Sequence, residues 1–209
     1  MFKRILLITL LAAAAGPAQT VNCIVAVVNG SIITLYDVQV AAEFGLGLAA
    51  AGEEVTDPRL AALEALIDRK VVLDMAREAW GVDRKDLAAA VAELRRDLGE
   101  SAFASKLAKF GLAEKDLEPY IQDGLLYERA LALRFSQTIP VSLTEVERHY
   151  RDIYVPEQTR LGNEAEPLER VADRIESLLR EERRTKQTAD WVRDLRKRAD
   201  IKVRKDCLK

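Results

Sequence analysis

The chain has 209 residues, 49% hydrophobic and 32% charged, with 32 basic against 34 acidic side chains. Interspersed charge so close to balance leaves no electrostatic footprint for nucleic acid as a partner. Two cysteines and one histidine, His149, do not supply an evident zinc cluster, Ser-His-Asp triad or Cys-His dyad. No catalytic residue, metal ligand or cofactor is therefore expected.

At the N-terminus, Lys3 and Arg4 precede an unbroken apolar run, Ile5 to Ala15, and Gly16-Pro17-Ala18 offers small residues for cleavage. This is the pattern of a secretory signal, residues 1–18, cut after Ala18. A run of about 11 apolar residues is too short for a bilayer span of about 20, so no stable membrane insertion is expected after cleavage. Thr20-Val21-Asn22 before Cys23 does not form a lipobox. With Lys3 and Arg4 removed from the 32 basic residues, 34 acids remain against 30 bases, a net charge of about −4. The even cysteine count, Cys23 and Cys207, suggests a disulfide in an oxidising compartment.

Residues 23–34 read as a β-hairpin around Asn29-Gly30, since both turn positions must tolerate positive φ. Thr34-Leu35-Tyr36-Asp37 resembles a capping box and opens a helix expected to reach about Ala51. Asp57-Pro58 starts a second helix that Gly81 stops; its broad apolar set, Leu63, Leu66, Ile67 and Val71 among it, marks the central helix. Asp83 caps a third, closed by Gly99, and Phe103, Leu107 and Phe110 lie on a fourth, closed by Gly111. The next spans about Glu114 to Ser136, with a bend or a late start expected from Pro119 and Gly124. Ser142 to Glu145 has capping-box form and starts a helix carrying Val146, Tyr150 and Ile153. Residues 154–166 read as a linker. A long helix follows from about Pro167 to Ala199, with apolar ends and a charged middle, residues 181–187, read as a solvated face. Ile201 to Arg204 alternates as a strand.

The order of these pieces carries a resemblance. The hairpin Val-Ala-Val-Val-Asn-Gly precedes a capped helix, then Ala65-Leu66-Ile67-Asp68-Arg69-Lys70 and Trp80-Gly81-Val82. Ile139-Pro140-Val141-Ser142 leads to His149-Tyr150, and Trp191 and Leu195-Arg196 precede Ala199 to Val203. The series resembles the chaperone module of SurA-type periplasmic proteins over about residues 23–153 and 167–204. The resemblance implies a mainly α fold in which the hairpin module, 19–153, folds together with the C-terminal helix and strand, 167–209. In that family parvulin isomerase domains stand where this chain has only 154–166, and prolyl isomerase activity is expected to be absent.

The function so implied is that of a periplasmic, ATP-independent holdase for unfolded exported or outer-membrane polypeptides, bound in an apolar groove. Phe44, Leu46, Phe103, Phe110 and Tyr120 are the candidate peptide-binding residues. Helical spacing does not separate a core aromatic from a groove aromatic, and both readings stand. The alternatives are a dedicated structural partner in an envelope complex and a minimal isomerase. The long C-terminal helix on a linker can also exchange between two chains as a domain-swapped dimer. Finally, the resemblance places the last strand antiparallel to the first. Setting Val203 opposite Val27 then sets Cys207 opposite Cys23 and predicts the Cys23–Cys207 disulfide.

Overall fold

A computed structural model of the chain describes residues 23–46, 57–76, 81–137 and 139–208. The signal residues 1–18 and the expected helix end at Ala51 lie outside these. The fold is mainly α with a small three-stranded antiparallel sheet. Strand β1, Ile24–Val28, and β2, Ser31–Thr34, form the hairpin, and β3, Ile201–Val203, pairs with the other side of β1. Asn29 (φ 47°) and Gly30 (φ 83°) make the left-handed turn. Asn29 is more than a turn former. Its side-chain amide donates to Asp74 at 2.9 Å and its carbonyl oxygen accepts from Asp200 N at 2.8 Å, so one residue ties the turn to two other elements.

Helix α1, Leu35–Phe44, opens on the Thr34–Asp37 capping box. It ends seven residues before the expected Ala51. Gly45 takes a left-handed conformation (φ 67°), and the N–H groups of Leu46 and Gly45 bond back to Ala41 and Ala42. That closure satisfies the last carbonyls and turns the chain at once. Helix α2, Pro58–Ala76, starts with Asp57 accepting from Arg59 and Leu60 N–H groups. Its Ala62, Leu63, Leu66, Ile67, Val71 and Val72 are buried, and it packs against α1, the sheet and two later helices. Burial of each large side chain of this kind contributes roughly 1.5–3 kcal/mol.

Helices α3, Arg84–Leu98, and α4, Glu100–Phe110, meet at Gly99. A 3₁₀ turn, Glu114–Leu117, precedes α5, Glu118–Arg134, whose first turn holds Pro119, so the proline sets a late start and not a bend. Helix α6, Leu143–His149, has the Ser142–Glu145 capping box. It continues through a π turn, Tyr150–Tyr154, into α7, Val155–Arg160. Half of the expected linker is thus helical. The wider π turn precedes Pro156, which lies in the first turn of α7. Only 161–167 is irregular, with Gly162 at φ 75°.

Helix α8, Leu168–Arg198, is about 46 Å long. Its two apolar ends serve different cores. Val192 and Leu195 join the main core of the sheet and α1–α5; Val171 and Ile175 form a second cluster with Val146, flanked by Tyr150, Tyr154 and Leu179. The middle is not wholly solvated. Arg180 donates to the Ile139 carbonyl, and Arg183 to the Pro140 carbonyl and to Glu145, holding the 139–145 connection to α8.

Cys23 and Cys207 form a disulfide with Cα atoms 6.1 Å apart, but not by the expected register. Val203 stands opposite Ala26, one position from Val27. A straight continuation would bring Asp206 to Cys23. Instead β3 stops at Val203 and a 3₁₀ turn, Lys205–Leu208, carries Cys207 to the place.

Candidate functional site

An open groove of about 960 Å³ lies between α5 and α8. Tyr127, Leu131 and Phe135 recur every four residues and so lie on one face of α5. Opposite them α8 presents Thr185, Thr188, Ala189 and Val192. At the C-terminal end of α5 the Phe135 ring meets Trp191 edge to face, centroids 5.8 Å apart, and Phe135 lines both this groove and the neighbouring hollow by Pro140. The floor is therefore apolar at Leu131, Phe135, Ala189 and Val192, with the hydroxyls of Thr185 and Thr188 beside them.

Its rims are charged, and most of those charges are already paired. Arg196 of α8 bridges Glu64 at 2.6 Å and Asp68 at 2.7 Å on α2, while Arg184 pairs with Glu181. Burial holds the Asp68 carboxyl above the usual carboxylate range, outweighing Arg196. Burial, then Asp68 and Glu128, push the Tyr127 phenol up to about 12, so it remains a neutral hydrogen-bonding group. An apolar trough with polar, largely self-satisfied edges can receive an extended chain without demanding one sequence.

The candidate peptide-binding residues fall elsewhere. Phe44 (1% exposed) and Phe103 (2% exposed) are interior, edge to face at 6.0 Å, and Leu46 is buried with them. These three side chains are core in this conformation and face no groove. The reason is the early end of α1, which folds Leu46 back under the helix. Phe110 is half-buried against Tyr36 and lines a 660 Å³ hollow beside Glu43, Lys106 and Lys109. Tyr120 is also half-buried, donates to Asp37 at 2.7 Å and lines a third, separate pocket. The five are thus not gathered at one surface.

Leu131 and Phe135 of the groove, and Trp191 of the hollow beside it, are not among the sequence candidates. The spacing of 127, 131 and 135 is visible in the sequence, yet it fits packing as well as binding, and Trp191 drew notice only within the C-terminal segment.

The geometry defines a mainly helical protein whose main and second cores share one long helix, with an open amphipathic groove along it. No protein-family model matches the chain, and no curated protein matches it.

Proposed function

We propose that the chain is a SurA-type periplasmic holdase without an isomerase domain, binding unfolded exported or outer-membrane polypeptides without ATP. The observation that carries this is the α5–α8 groove, apolar at Leu131, Phe135 and Val192, open along its length and flanked by charges that have internal partners. Such a lining favours extended, sequence-tolerant occupants held by apolar contact. The disulfide accords with an oxidising compartment, and the order of elements resembles the SurA chaperone module.

The test is suppression of aggregation when an unfolded outer-membrane protein is diluted from urea. The oxidised chain should suppress it at near-stoichiometric ratio, equally with and without ATP. Ala132 and Ala189 line the groove and are exposed. The double substitution Ala132→Glu, Ala189→Glu leaves the cores untouched and should weaken suppression several-fold. Suppression no better than that of a folded control protein overturns the reading. Full activity of the double variant moves binding away from this groove.

A further inference from the structure

Arg69 is the one charged side chain buried in the core among the described residues, 8% exposed, and its Nη1 has no hydrogen-bond partner. An unpaired buried guanidinium is costly, and its donors call for an acceptor. Gly124 of α5 passes the guanidinium so closely that a Cβ there would stand 3.5 Å from Nη2. Burial drives the Arg69 pKa down, with Asp123, Glu128 and Tyr127 acting the other way from a distance.

Arg69 lines a pocket of about 340 Å³ between β2, α2 and α5. That volume is at the lower end of ligand sites, about 300–1,000 Å³. Leu66, Pro119, Tyr120 and the exposed Ile32 give it apolar walls. Its other charged groups are engaged: Lys70 with Asp123 at 2.9 Å, Asp37 with Thr34 and Tyr120, and Asp116 with Ala113 N.

Charge decides the class of ligand. Three carboxylates, Asp37, Asp116 and Asp123, stand against two cations, so a free anion meets surplus negative charge. A cationic ligand meets Arg69. A neutral group with a strong acceptor oxygen suits both, and the amide carbonyl is that group. One wall is β2, an edge strand of the sheet, and edge strands are templates for an added extended segment.

We propose that this pocket is a polypeptide subsite, in which a main-chain carbonyl accepts from Arg69 and an uncharged side chain lies against Leu66 and Pro119. The subsite deepens the holdase reading, since its ligand is again polypeptide, but none of its lining residues lines the α5–α8 groove.

The experiment is an NMR titration of the oxidised full chain with a capped hexapeptide of alternating leucine and serine. The Arg69 side-chain N–H and Tyr120 ring signals should shift saturably. Arg69→Met should weaken the hexapeptide about tenfold, the loss of a hydrogen bond from a charged donor. Ile32→Thr keeps a β-branched residue on an exposed strand position and should weaken it about threefold. The groove double variant should bind as the parent does at these signals.

The subsite is overturned if the Arg69 signals stay still and only an ordered water occupies the pocket. It is also overturned if Arg69→Met, folded by circular dichroism, binds as tightly as the parent. Should Arg69→Met not fold, unchanged binding by Ile32→Thr overturns it. Intact aggregation suppression with a silent Arg69 sinks the subsite and leaves the holdase. A responding Arg69 in a chain that suppresses nothing supports the subsite and sinks the holdase.

Discussion

Glu43 shows how a single side chain joins two helices. On α1 it accepts from Lys106 at 2.8 Å, with Lys109 at its other oxygen, both from α4. Those lysine hydrogen bonds hold its carboxyl below the ordinary value of 4.5. A lowered folded-state pKa means that the contribution is complete above the unfolded value and lost as pH falls through the folded one. Stability should therefore be insensitive to Glu43 from neutrality down to the ordinary glutamate range and decline below it. Glu43→Gln should lower stability at pH 7 by about 1 kcal/mol or less, as for half-exposed pairs, and flatten that acid limb in urea titrations against pH. Contacts of this kind were illegible in the sequence, where 43, 106 and 109 are merely charges on two helices. The caps were legible, because Thr34–Asp37, Asp57 and Ser142–Glu145 each act within three residues. Phe103 lies between these cases. Its presence on an apolar face could be read, and its direction into the core could not.

At the scale of elements, α8 has the most to lose or give. Val192 and Leu195 complete the main core, and β3 completes the sheet. A chain ended at residue 160 would bare the helix surfaces around α2 and α5 and the second edge of β1. That truncation should lose cooperative unfolding, bind a hydrophobic dye and self-associate. A fragment that stays monomeric and melts as the parent does would show that the hairpin and α1–α7 suffice. Helix α8 itself was legible almost to the residue, since a long periodic segment between a proline and a strand leaves little choice. The π turn was not. Pro156 reads locally as a breaker, and only the tertiary setting, with Tyr150 and Tyr154 stacked 5.6 Å apart and Tyr150 donating to the Glu166 carbonyl at 2.8 Å, carries the helix past it. The α5–α8 groove escaped for the same reason: it is a relation between two helices, fixed by where neither of them packs.

For the whole molecule, the disulfide closes a loop with a sequence separation of 184 residues. In the chain-entropy account a loop this long stabilises by about 5 kcal/mol, an upper figure. Reduction should lower the urea midpoint by a large fraction of the total stability and release β3 first, visible as early hydrogen exchange at Val27 and Asn29, whose amides face β3. An unchanged midpoint after complete reduction would mean that the core holds the ends together unaided. The same bond joins the first described residue to almost the last, and this sets a timetable. Polypeptide is made from its N-terminus at roughly 5–20 residues per second, so β1 waits about ten to forty seconds for its second neighbour. Through that interval β1 has a bare edge and Cys23 has no native partner. Native pairing of β1 therefore waits until Cys207 has been made, and until then the hairpin must endure with one edge open.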